Sequence, residues 1–371
     1  MKIARLKNGI RQVDGIVSIP SEVVDWLCQR DNPPVRYLTM KNILMMPEEN
    51  LVEERSKLNS YPAIQGILRK RDIFWKSDTR LYRKYKGGYW QIIFLGDLNA
   101  DGGEPAIRDG CEYILNDQTW QEALAKESTG WACLMANISR GLANLGYNLD
   151  IRVKGIIENI GRSIIRHEGI DCRDVEFSLV PKCHLALPKV LMALAKYPEA
   201  NPIIERAKDI CVRQLLDKRV YFYVPKLQKE WIDYKKSRER KIRRASLQSE
   251  TRSAIAEALL KEREKFRRPG EDNNPKDIWL RFGFPLDYNS DVLEAMRSLL
   301  EANIEYDPRM DDAINAIRGK MKPDGRWNLE FSLNNKMWVE IEEKGKPSKW
   351  ITYYALLILL KYDQRVRVAC S

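Results

Sequence analysis

Apolar positions along the chain fall into two kinds of helical run. Residues Gly88–Leu98, Cys133–Leu145, His184–Ala195, Ser290–Leu300 and Trp350–Leu360 are apolar on nearly every side. Runs of the second kind are amphipathic, as where Met310, Ile314 and Ile317 alternate with Arg309, Asp311, Asp312 and Arg318. Apolar residues recurring every three to four positions predict helix; the first kind suits burial and the second suits an element with one wet face. The starts of the second kind share a device: a polar residue, in most cases followed by proline, just ahead of the apolar run. It occurs at Asn32-Pro33, Glu104-Pro105, Asp150-Ile151, Asn201-Pro202 and Asp307-Pro308. A polar N-cap and a proline in the first turn are helix-start signals. Their recurrence, alternating with the apolar runs, reads as an internal repeat. The pattern predicts an all-α protein, an α/α toroid in which five or six helical hairpins form two concentric rings, with apolar helices inside and amphipathic ones outside.

This places an N-terminal extension at residues 1–20, the toroid at 21–362 and a C-terminal tail at 363–371. An insertion at about 229–275 interrupts the repeat. Extended segments are few. Arg219–Val224 and Met337–Ile341 are β-branched and aromatic, and are read as extended pieces at the rim.

Charge changes the picture in one place. The chain carries a net +11, but residues 229–268 hold 14 basic and 7 acidic side chains and so most of the excess. Within it, Lys235, Lys236, Arg238, Arg240, Lys241, Arg243 and Arg244 crowd into ten positions. The segment reads as a basic helical arm: either a solvated helix, or a binder of nucleic acid or of an acidic partner. Few aromatics interleave with the basic residues, so stacking on single-stranded bases is not supported. No targeting signal and no apolar run long enough for a membrane span are present, and a cytoplasmic protein is expected.

Candidate chemistry is sparse. The chain has two histidines, His167 and His184, and no GxSxG, P-loop, GxGxxG or HExxH pattern. Hydrolase, nucleotide-cofactor and zinc-protease readings lose their support. Seven cysteines scattered over 371 residues read as reduced thiols. Cys133, Cys172, Cys183 and His184 cluster around two helix starts, where the helix dipole favours a thiolate. Three readings stay open for them: small buried hydrophobes, a reactive thiol, or four ligands of a tetrahedral Zn2+ site. Their spacing matches no compact zinc motif.

Several stretches together resemble a known superfamily. Trp26-Leu27 with Asn32–Tyr37, then Tyr85–Trp90, Gly130–Tyr147, Lys322–Trp327 and Gly345–Thr352, resemble the squalene cyclases and protein prenyltransferases. The likeness is to small members carrying prenyltransferase/squalene oxidase repeats, and it spans most of residues 21–362. It implies the same toroid, with a central cavity for an apolar, isoprenoid-like ligand. Carried onto this sequence, that cavity would draw on Tyr85, Trp90, Asn137, Phe284, Tyr288, Trp327 and Trp350. Aromatic faces in such a cavity stabilise carbocations.

The departures bear on activity. The Asp-x-Asp-Asp general-acid motif of the cyclases is missing, as is an Asp-Asp-x-x-Asp magnesium motif. Asp311-Asp312 lies on an amphipathic helix beside Arg309 and reads as a solvated face. The prenyltransferase zinc pattern, Asp-x-Cys with a later His, does not carry over, because Asp171 and Cys172 are adjacent and no His follows His184. The reaction is therefore unassigned, and two functions are carried forward. One is an enzyme or binder for an isoprenoid-like molecule. The other is a non-enzymatic scaffold with a structural metal or buried cysteines, whose arm binds a partner.

Overall fold

Four of the five polar residues ahead of the amphipathic runs act as caps, Asn32, Asp150, Asn201 and Asp307, whereas Glu104 makes no such hydrogen bond. In the computed structural model, Asn32 Oδ1 accepts the Val35 N–H at 3.2 Å, Asp150 accepts that of Arg152 at 2.8 Å and Asn201 accepts that of Ile203 at 2.9 Å. Each satisfies a donor that the first turn of a helix leaves without a partner. The structure describes residues 11–13, 16–70, 81–125, 132–170, 183–222 and 277–368, with residues 233, 234, 237 and 262 besides.

The described chain is predominantly helical. Helices α1 (Ser21–Leu27), α2 (Pro33–Asn42), α3 (Val52–Ser56) and α4 (Pro62–Leu68) come first. They are followed by α5 (Gly88–Asp97), α6 (Pro105–Leu115), α7 (Gln118–Ala125), α8 (Ala132–Leu142) and α9 (Ile151–His167). The last five are α10 (Leu187–Ala195), α11 (Pro202–Asp217), α12 (Val292–Glu301), α13 (Asp311–Gly319) and α14 (Lys349–Tyr362). The five apolar runs are α5, α8, α10, α12 and α14, with ends within a few residues of those expected.

These five helices pack on one another in chain order: α5 on α8, α8 on α10, α10 on α12 and α12 on α14. The amphipathic helices lie against them, α9 on α8 and α10, α11 on α10, and α13 on α12 and α14. At the α5–α8 crossing the backbones nearly touch. A Cβ on Gly96 would lie 2.6 Å from the Gly141 Cα, so only glycine fits there. The core between the layers is continuous, and Trp90, Trp279, Trp327 and Trp350 are wholly buried in it.

A small sheet joins the two ends of the described chain. Strand β1 (Arg11–Val13) pairs antiparallel with β2 (Ile16–Ile19), which pairs in parallel with β3 (Val366–Val368). Ile19 and Val366 are both fully buried. These strands fall in the segments read as an extension and a tail. The described residues of the two runs expected to be extended do not form strands. Arg219 and Val220 take left-handed backbone, and the Val220 N–H returns to the Leu215 carbonyl at 2.9 Å, closing the end of α11. Residues 337–341 form a bend and irregular backbone, and their apolar side chains Met337 and Val339 pack on the core. Residues 223 and 224 lie outside the described residues. No described helix is long and apolar enough to cross a membrane.

Candidate functional site

Four of the five apolar helices bring charged side chains together in the interior; the buried Lys349 of α14 instead pairs with Asp31. Asp97 ends α5, Arg140 sits in the last turn of α8, Lys189 lies near the start of α10, and Glu294, Arg297 and Glu301 line up along α12. Positions 294, 297 and 301 share one helix face because residues three and four apart stack. That face turns inward.

The charges pair across helices. Arg140 Nη2 lies 2.7 Å from Asp97, and its Nη1 lies 3.8 Å from Glu294. Lys189 Nζ contacts the other Glu294 oxygen at 2.7 Å, with Lys189 fully buried. Further along, Arg297 Nε meets Glu301 at 2.6 Å and Lys196 Nζ meets it at 3.1 Å. The Arg297 guanidinium also stacks 4.1 Å above the Tyr354 ring of α14. Charges removed from water are tolerable only when they are paired and hydrogen-bonded.

The carboxyls respond differently. Burial would raise Glu301, but the charges of Arg297, Lys196 and Arg140 outweigh it and hold its pKa down to about 2. Asp97 is pushed up by burial, which Arg140 only partly offsets. Asp291 caps α12 by accepting the Glu294 N–H at 2.7 Å and also accepts the Gly283 N–H at 2.9 Å, yet burial pushes it up to about 7.

The network opens onto a cavity of about 760 Å³ at the C-terminal ends of α5, α10 and α12. Leu38, Met45, Met46, Leu300 and Leu357 form its apolar wall. Three cations, Lys41, Lys196 and Arg297, and three carboxylates, Glu48, Asp97 and Glu301, line it together with Asn42, Asn99, Asn144 and Asn303. Deeper, between Asp97, Arg140, Phe284 and Glu294, the remaining space is only about 20 Å³. A void that small holds at most a water.

The aromatic residues singled out from sequence pack elsewhere. Tyr85, Trp90 and Tyr288 form one cluster at the N-terminal end of α5, with ring centroids 5.2 and 5.3 Å apart around Trp90. Phe284 and Trp350 stack at 4.2 Å in a second cluster. Trp327 is buried, its Nε1–H donating to the Ile317 carbonyl at 2.7 Å, and the buried Asn137 donates to the Asp287 carbonyl at 3.3 Å. None of the seven lines the larger cavity, and only Phe284 among them borders the small one.

Of the metal-ligand candidates, Cys133 is half-buried near the start of α8, and Cys183 and His184 are buried just ahead of α10. Burial lowers the His184 pKa to about 4, so the ring is neutral at pH 7, and its Nε2 has no hydrogen-bond partner. Such an imidazole is a competent ligand. Among the described residues, however, no three His, Cys, Asp or Glu side chains are placed to hold a metal ion. Cys172 lies outside the described residues, as do Lys235, Lys236, Arg238, Arg240, Lys241, Arg243 and Arg244 of the basic arm. Asp312 of α13 is part-exposed and pairs with Arg219 at 2.7 Å, and Asp311 accepts the Tyr306 hydroxyl at 2.8 Å.

The interior charges escaped the sequence reading although a signal was there. A lone Arg140, Lys189 or Glu294 inside an otherwise apolar run is costly to bury without a partner, and that cost marks each as one member of an ion pair. Compared with protein-family models, with curated proteins and with solved structures, the chain matches none.

Proposed function

We propose that the chain is an α/α toroid of the squalene cyclase and prenyltransferase type, and that it binds a small amphipathic, isoprenoid-like molecule in the cavity at the C-terminal ends of its inner helices. The observation that carries the reading is the cavity itself. At about 760 Å³ it falls in the size range of small-molecule sites, with a wall of leucine and methionine and a polar end. Its charges balance, and each cation already has a carboxylate, so an uncharged head group such as a hydroxyl fits better than a diphosphate. Asn99 and Asn303 on the lining would meet that head group, and Met45, Met46 and Leu300 would meet the chain. The toroid is supported by the chain-order packing of the five apolar helices and by the amphipathic helices set against them.

Binding rather than turnover is the function the geometry favours. The interior carboxylates sit in ion pairs or cap a helix, and the space between them is too small for a reacting chain.

Titration calorimetry with farnesol and with farnesyl diphosphate tests this. Farnesol is expected to bind saturably and more tightly than the diphosphate. Leu300→Trp, which puts an indole where the chain of the ligand would lie, should weaken binding while circular dichroism stays unchanged. Farnesol binding that is absent from the wild type, or unaltered in Leu300→Trp, would overturn the reading.

A further inference from the structure

At the opposite end of α5, a lysine sits in a cage. Lys84 Nζ lies 4.8 Å from the Tyr85 ring centroid and 4.9 Å from that of Tyr288. Both distances are within the reach of cation–π attraction. Beneath them lies the buried carboxylate of Asp287, whose Oδ2 is 3.4 Å from Lys84 Nζ and accepts the Tyr85 hydroxyl at 2.5 Å. Its Oδ1 accepts the backbone N–H of Asn289 at 2.9 Å. Trp90 closes the back of the cage, tilted on Tyr85 and edge-on to Tyr288. Two aromatic faces over a fixed carboxylate form a receptor for an ammonium group.

The occupant is far more exposed than the carboxylate it pairs with. Lys84 lies on the loop before α5 with 43% of its side chain exposed, whereas Asp287 is 3% exposed and tied down by three hydrogen bonds. Tyr85 has left-handed backbone, with φ +65°. Side chains of consecutive residues ordinarily diverge, and this conformation accompanies the folding of Lys84 back over its neighbour's ring. A non-glycine residue in that region is strained, and such strain gathers where a ligand or a switch is served.

We propose that the cage of Tyr85, Tyr288 and Asp287 is a binding site for a free alkylammonium, with Lys84 as the intramolecular occupant that the ligand displaces. A side chain on a short tether has a high effective concentration, so Lys84 holds the cage shut against weak or dilute amines. A ligand whose ammonium makes the same contacts, and whose alkyl chain adds contact with Tyr82 or Tyr288, displaces it. The cage is separate from the cavity at the C-terminal ends, and failure of either reading leaves the other standing.

The test is a tryptophan-fluorescence titration with n-butylammonium chloride at constant ionic strength, with n-butanol as the neutral control. Lys84→Ala should bind n-butylammonium saturably and at least about tenfold more tightly than the wild type, the factor expected for loss of a competing cation–π contact. The double variant Lys84→Ala/Tyr288→Leu should lose the site, and n-butanol should not bind. Lys84→Gln, which is one atom shorter and lacks the charge, should also bind n-butylammonium more tightly than the wild type and serves if the alanine variant misfolds. No saturable binding in either Lys84 variant, equal affinity in the wild type, or binding that survives Tyr288→Leu would each overturn the proposal.

Discussion

Lys189 Nζ lies 2.7 Å from Glu294 Oε2, joining α10 to α12 between side chains that are 0% and 7% exposed. Neither charge has water to fall back on. Lys189→Met should therefore destabilise the protein by about 3–5 kcal/mol, the usual cost of leaving one member of a buried pair uncompensated. Lys189→Met/Glu294→Leu should recover much of that loss, because Arg140 keeps Asp97 as its partner. Urea denaturation of the two variants measures both. Glu294→Leu completes the cycle, and a loss in the double variant equal to the sum of the two single losses would show that the pair is not coupled.

The α5–α8 crossing leaves no room for a methyl group. A Cβ on Gly141 would lie 2.8 Å from the Ile92 carbonyl oxygen, which belongs to backbone and cannot swing aside. Gly141→Ala should cost roughly 1–3 kcal/mol, as overpacking of a tight core does, despite alanine's better helix propensity. Gly319→Ala, where a Cβ meets nothing within 4 Å, is the control and should change stability little. Thermal unfolding separates the two.

Two buried groups oppose each other in their response to acid. The folded-state pKa of His184 is lowered from 6.5 to about 4, so its contribution to stability is lost as pH falls through that interval, when the unfolded chain takes up a proton and the folded one does not. Asp291 is raised from 3.8 to about 7, so the folded chain keeps a proton that the unfolded chain releases, and stability falls as pH rises through that interval. The wild type should show a shallow dependence between about pH 4 and 6.5, because the two slopes subtract. His184→Phe should become more stable on acidification over that range, and Asp291→Asn less stable. Urea midpoints at several pH values test the signs, and parallel profiles for both variants would contradict them.

Cys111 and Cys211 are fully buried thiols. Burial pushes the Cys211 pKa up to about 12 and moves Cys111 in the same direction. The thiolate is the form that attacks an alkylating reagent, so neither should react in the folded protein at pH 8, and both should react on unfolding. Mass mapping of alkylated peptides with and without urea reads this directly, and rapid labelling of either in the native protein would mean that α6 or α11 opens readily.

Much of the architecture was legible in the sequence by itself. The helices, their caps at Asn32, Asp150 and Asn201, and the division into apolar and amphipathic runs depend on residues within a few positions of one another, and local spacing records them. What these helices do with their charges was decided only in three dimensions. Lys189 and Glu294 lie 105 positions apart, and Tyr85 and Asp287 lie 202 apart. No periodicity carries such pairings. The same holds for the aromatic residues: sequence marked Trp90 and Trp350 as large and apolar, but their burial in the core, away from the larger cavity, follows from how neighbouring helices pack. The small sheet has the same cause, since β2 finds its parallel partner β3 at the far end of the chain.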